Sequence, residues 1–123
     1  MDDRDYVLRR IEPDDLDIVS GMWSRMADQH RAYSAEVWCW SEEASDAWRA
    51  DVARRLQSRD TIALMALDRA GAPAGYVLGI VKDSEKVFVK DRHGEVWDLV
   101  VLPEHRGRGV GAMLMEACFE AMK

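Results

Sequence analysis

Arg106, Gly107, Arg108, Gly109, Val110, Gly111 and Ala112 are where this sequence concentrates its chemistry. They join an apolar, strand-like stretch to a run in which Val110, Met113, Leu114, Ala117 and Cys118 recur at helical spacing. A loop that enters a helix leaves the first backbone N–H groups unpaired. The helix dipole makes that end attractive to anions, phosphates above all. Gly107, Gly109 and Gly111 carry no side chain that would hold a ligand off the backbone, and Arg106 and Arg108 add positive charge. A diphosphate is the ligand such a loop suits.

Other phosphate loops fit less well. The pattern G-x-x-x-x-G-K-[ST] is absent, and the residue three after Gly111 is Leu114, so G-x-G-x-x-G fails as well. Nucleoside triphosphates and dinucleotides therefore drop out. What remains is Arg-x-x-Gly-x-Gly at Arg106, Gly109 and Gly111, preceded by Leu-x-Val-x-Pro at Leu99, Val101 and Pro103. This combination resembles the signature of the GNAT superfamily of acetyl-CoA-dependent N-acetyltransferases. An ordinary glycine-rich strand-to-helix turn is the plain alternative.

Position by position, the resemblance implies that the backbone of Leu99 and Val101 bonds the pantetheine arm, with the Leu99 amide near the thioester carbonyl. Such an amide would stabilise developing oxyanion charge. It further implies that the pyrophosphate rests on the backbone from Arg106 to Ala112, chiefly on the amides of Arg108, Gly109, Gly111 and Ala112. Acetyl-CoA is then the cosubstrate and an amine the acceptor. In enzymes of this kind the amine attacks the thioester directly, so a carboxylate or a water must take a proton from the ammonium.

Two carboxylates are candidates for that base. Glu95 lies eleven residues before Arg106, where the resemblance implies a glutamate base in some relatives, and Asp98 lies eight before it in an apolar strand. Strand periodicity predicts opposite faces for the pair. A buried carboxylate is costly without a partner or a role, so Asp98 draws attention. The competing readings are a solvated glutamate and an aspartate paired to an arginine. For the acceptor, Trp38, Cys39 and Trp40 with Tyr33 and His30 fall where the resemblance implies a substrate groove, and an aromatic wall suits a cation. Packing in the core is the alternative, favoured for Trp23, Trp48 and His30, which lie on helical stripes. His93 and His105 fall in expected turns.

The elements that position these residues follow from hydrophobic spacing. A strand over residues 6–11 ends at Pro13, Asp14 and Asp15, which suit a first helical turn. Leu16, Val19, Met22, Trp23, Met26 and His30 predict one helix to about Tyr33. Ala44, Trp48, Val52 and Leu56 predict a second, with Arg49, Asp51, Arg54 and Arg55 on its solvated face. Residues 61–67 and 75–81 read as an antiparallel hairpin. A short apolar piece at Val87, Phe88 and Val89, a turn over residues 91–94 and a strand over residues 95–102 bring the chain to the loop.

Composition agrees with this scheme. The 123 residues suit one domain, 48% are hydrophobic and 33% charged, and the net charge of -6 disfavours nucleic acid and anionic membranes. Two cysteines, Cys39 and Cys118, have neither disulfide density nor metal-ligand spacing. With no leader-like start and no membrane-length apolar run, a cytoplasmic protein is expected. The expectation is therefore one α/β (α+β) domain over residues 1–123, in the order β-α-α-β-β-β-α. Its sheet is mixed and mostly antiparallel, with helices against it. The resemblance implies further strands and a helix after the pyrophosphate loop, with the tyrosine that protonates the thiolate, so the domain is read as incomplete at its C-terminus. An uncovered strand edge is a pairing site, hence a possible homodimer. Two functions follow: an N-acetyltransferase, or a silent acyl-CoA-binding or protein-interaction module.

Overall fold

Alternation of apolar residues builds the sheet first. In the computed structural model, which describes residues 5–33, 43–83 and 92–123, the strands are β1 (Tyr6–Arg10), β2 (Thr61–Asp68), β3 (Pro73–Asp83) and β4 (Arg92–Val101). The helices are α1 (Leu16–Tyr33), α2 (Ala44–Arg55) and α3 (Val110–Ala121), with 3₁₀ turns at Pro13–Asp15 and Pro103–His105. The order is the expected one. The sheet runs β1-β2-β3-β4, and every described pairing is antiparallel.

Each face of the sheet has its own apolar cover. Ala63, Met65, Tyr76, Leu78 and Val100 form one face and pack with Val19, Met22 and Trp23 of α1 and Val52 of α2. On the other face, Ala66, Ala74 and Val77 meet Val110, Leu114 and Cys118 of α3. The sheet is thus the middle of three layers. Close approach on the α3 side demands small residues. A Cβ built on Gly75 would lie 2.5 Å from the Val100 carbonyl oxygen, and one on Gly79 would meet the Glu95 carbonyl oxygen at 3.0 Å and Cys118 Sγ at 3.1 Å.

The entry to α1 is held by Asp15. Arg9 donates to both of its carboxylate oxygens at 2.7 Å, and the Glu12 amide donates to Oδ2 at 2.8 Å, closing a capping box with Pro13 in the first turn.

Three expectations need correction or lie elsewhere. Arg92, His93 and Gly94 are strand, paired with Asp83, Lys82 and Val81, where a turn was expected. β3 runs on to Asp83, past Ile80 where its pairing with β2 ends, and β4 pairs along that extension. The stretches with Trp38, Cys39 and Trp40 and with Val87, Phe88 and Val89 lie outside the described residues. Among the described residues no helix is long and apolar enough to cross a membrane.

Candidate active site

The loop at the head of α3 has the backbone its glycines permit. Gly107 and Gly109 take φ of +78° and +81°, left-handed values that only glycine adopts cheaply, and Gly109 is the residue at the helix N-cap. The first helical bond runs from the Met113 amide to the Gly109 carbonyl at 3.0 Å. The amides of Val110, Gly111 and Ala112 therefore precede the ladder, at the positive end of the helix. Gly111 differs from its neighbours. A Cβ there would rest 3.6 Å from Val101 Cγ2, an ordinary contact on the sheet side, so space for a ligand is not what this glycine supplies.

Three consecutive residues tie the loop's entry to three different partners. Arg25 of α1 grips Glu104 with two bonds of 3.0 and 2.9 Å. The Tyr6 hydroxyl of β1 meets His105 Nδ1 at 2.9 Å, with the rings edge to face. Arg106 turns back on the body, donating to the Val101 carbonyl at 3.2 Å and to Gln29 of α1 at 3.1 Å. Arg25 holds the Glu104 carboxyl down to about 2. The Arg106 side chain thus braces the loop, while Arg108 lines a separate cavity with Asp5, Tyr6, Asp68 and Arg69.

β4 leads into this loop as the edge strand of the described sheet. The Leu102 amide donates to Ala74 at 2.8 Å, so Val100 and Leu102 turn their backbone groups toward β3. Alternation then directs those of Leu99 and Val101 to the side away from β3. The Val101 carbonyl already accepts from Arg106.

The two carboxylates end on one face, contrary to the strict strand period. Glu95 pairs with Ile80 and Asp98 with Leu78, two apart on β3, because a bulge places an extra residue, Trp97, between Val96 and Asp98. The bulge has a further effect. Trp97 and Asp98 both line one cavity of about 210 Å³ beside α2, with Trp48, Val52 and Arg55.

Their surroundings differ sharply. Glu95 is exposed and bonded to Lys82 at 3.0 Å and His93 at 3.2 Å, and these partners hold its carboxyl below the usual range. Asp98 is half-buried, and loss of water pushes its carboxyl up. The Tyr76 hydroxyl, donating at 2.9 Å, and the Trp48 side chain oppose that rise. Among the described residues Asp98 has no arginine paired to it. Asp98 is held by two neutral donors.

Trp48, expected in the core, stacks on Trp23 with centroids 5.5 Å apart and also walls this cavity. Asp51 and Arg55, expected on a solvated face, form its rim: Arg55 donates to Asp51 at 3.0 Å and its guanidinium lies 4.3 Å from the Trp97 ring centroid. Tyr76 had no sequence signal beyond its place in an apolar run. Trp97 and Asp98 adjacent in the sequence conceal the bulge, because a run lacking clean alternation does not define its register. His30 bonds the Met26 carbonyl of its own helix at 2.8 Å, half-buried.

Known proteins resemble this chain in sequence and fold. Over residues 65 in length, covering 53% of this chain and 44% of the relative, the sequence is 38% identical to an uncharacterized N-acetyltransferase of Archaeoglobus fulgidus. The matched stretch thus spans under half of that relative. A GCN5-related N-acetyltransferase from Ralstonia eutropha superposes with a TM-score of 0.71 at 23% identity, over 94% of this chain and 74% of that one. A predicted acetyltransferase from Clostridium acetobutylicum, solved with acetyl-CoA, gives 0.73 at 10% identity, over 94% and 71%. These two likenesses show the fold. The profile described as the acetyltransferase (GNAT) family matches residues 23–123, and the chain belongs to that family.

Proposed function

We propose that this chain transfers an acetyl group from acetyl-CoA to a primary amine by direct attack in a ternary complex, with Asp98 as the base. The observation that carries the proposal is the meeting, on β4, of a half-buried carboxylate facing the α2 cavity and the edge of the described sheet, which runs into the loop of Gly107 and Gly109. Family membership supports acetyl transfer, and the acetyl-CoA of the Clostridium relative supports the donor.

The residues present suit the donor. Left-handed glycines at 107 and 109 open the loop's backbone, and the amides of Val110, Gly111 and Ala112 offer donors to a pyrophosphate. Leu99 turns its N–H to the open edge of β4, where it would meet a thioester carbonyl oxygen.

Asp98 takes one proton from the ammonium and later returns it to solvent. The free amine forms a bond to the acetyl carbon, the C–S bond breaks, and a second proton of the amine ends on sulfur to give the free thiol of coenzyme A. A carboxyl raised by burial is a better proton acceptor near neutrality than one held down by a lysine and a histidine, which favours Asp98 over Glu95. Glu95 remains the second candidate.

Thiol release from acetyl-CoA with a panel of amines, run beside calorimetry of acetyl-CoA binding, tests the proposal. Turnover that falls at least a hundredfold in Asp98→Asn, with binding retained, is expected. Binding without turnover on any amine would instead support the silent acyl-CoA-binding module, and no binding would sink both.

A further inference from the structure

Resting on the assignment of the Asp98 cavity as the acceptor site, we infer that the preferred amine sits at the end of a slender, unbranched alkyl stem. Its ammonium meets Asp98, and a hydrogen-bond acceptor or an anionic group at its far end lies beside Arg55. An amine on a sugar ring fits this cavity poorly.

The floor, the wall and the rim of the cavity each contribute to this conclusion. At the floor, a carboxylate has about four sites for donors, and the protein fills two of them with the Tyr76 hydroxyl and the Trp48 side chain. The sites left over suit the N–H groups of an ammonium. They are too few for an ammonium together with several hydroxyls.

The wall above it is apolar. Val52 and Leu78 are buried, 3% and 1% exposed, and the other wall residues are the indoles of Trp48 and Trp97. Valine and leucine carry no polar side-chain atom, and an indole is a donor only. Among the described residues, this collar therefore offers no side-chain acceptor. Hydroxyls of a sugar would be stripped of water against it, whereas methylene groups lose nothing there.

The rim selects at the far end. Asp51 is occupied by Arg54 and Arg55, which leaves it little capacity for a ligand's donors. Arg55 spends its Nε on Asp51 and has further N–H groups in a guanidinium fixed on the Trp97 ring. The volume of about 210 Å³ falls below the roughly 300–1,000 Å³ of pockets that hold drug-sized ligands. One narrow chain fills it.

The test is a series of acceptors assayed by thiol release: n-alkylamines from ethylamine to hexylamine, the matching ω-amino carboxylates, and glucosamine. Each added methylene is expected to raise kcat/KM about fourfold until the cavity is filled, the equivalent of burying one methylene. Glucosamine is expected to be at least tenfold poorer than the best alkylamine. A terminal carboxylate at the optimal length should improve KM, and Arg55→Gln should remove that gain, read as the ratio of the KM of the ω-amino carboxylate to that of the alkylamine of the same length in the same variant.

A flat chain-length series, or glucosamine as the better acceptor, overturns the inference. If that happens while Asp98→Asn still abolishes turnover, the acceptor site stands and only its ligand is wrong. If Asp98→Asn leaves the best amine unaffected, the site itself is wrong. Should Asp98→Asn fail to fold, Trp97→Ala takes its place: a flattened chain-length slope supports the inference and an unchanged slope overturns it.

Discussion

The hydroxyl of Tyr76 on β3 donates to Oδ2 of Asp98 on β4 at 2.9 Å, and both side chains lie on the face covered by α1 and α2. Burial raises the Asp98 carboxyl, and this hydrogen bond works against that rise by favouring the charged form. Tyr76 is thus a positioning residue for the proposed base. In Tyr76→Phe the donor is gone, so the acidic limb of the kcat/KM profile should move to higher pH, whereas a merely loosened core would lower the rate without moving the limb. The titration of Asp98 followed by NMR of labelled aspartate checks the shift independently of turnover.

The raised carboxyl also predicts how stability changes with pH. A group whose folded pKa lies above its unfolded value stabilises the fold at low pH, and that contribution is lost as pH rises through the folded value. Asp98→Asn has no such loss. Relative to the parent, this variant should gain stability as pH rises from 3 to 7, as measured by urea unfolding at each pH. A constant difference would show that Asp98 is not shifted by burial.

The loop entry shows the opposite sign. Glu104 is held down to about 2 by Arg25, so its contribution is complete above its ordinary value of 4.5 and is lost as pH falls toward 2. Arg25→Gln should therefore be less stable than the parent at pH 7, and the difference should close as pH falls from 4.5 toward 2. Asp15, lowered chiefly by Arg9, adds to the same acid sensitivity.

The glycines of the loop should separate by backbone need. Gly109, at φ +81°, tolerates no β-branched residue, so Gly109→Val should cost on the order of 1–2 kcal/mol and abolish acetyl-CoA binding in calorimetry. Gly111→Ala should bind within about twofold of the parent, because its Cβ would meet Val101 at an ordinary 3.6 Å. Equal effects at the two positions would contradict this account of the loop.

Packing under α3 offers a further contrast. Gly75→Ala places a methyl 2.5 Å from a backbone oxygen that cannot step aside, and should destabilise by about 2–4 kcal/mol in thermal unfolding. Gly94→Ala meets only the flexible end of Met122, so its cost should be clearly smaller.

Much of this protein was legible in its residues because the signals are local. Arg106, Gly109 and Gly111 after Leu99, Val101 and Pro103 locate the loop, and their resemblance to the GNAT signature points to the family that the profile match shows. The helical stripes of Val19, Met22 and Trp23, of Val52, and of Leu114 and Cys118 name the core faces that form. Element order followed for the same reason: periods of 2 and 3.6 are properties of adjacent residues.

The tertiary structure decided the rest, because its causes lie between strands. Pairing with β3 inserts the bulge at Trp97, which turns Glu95 and Asp98 to one face and sets Trp97 beside Asp98 in one cavity. Nothing in the order Glu95, Val96, Trp97, Asp98 specifies that register. Likewise Tyr76 and Trp48 look like core residues, and only folding brings their donors to the half-buried Asp98, while Arg106 reaches back to Gln29. The glycine-rich loop at the head of α3 is readable from adjacent residues, whereas cross-strand register, a non-local property, sets which of the two β4 carboxylates lines the cavity beside α2.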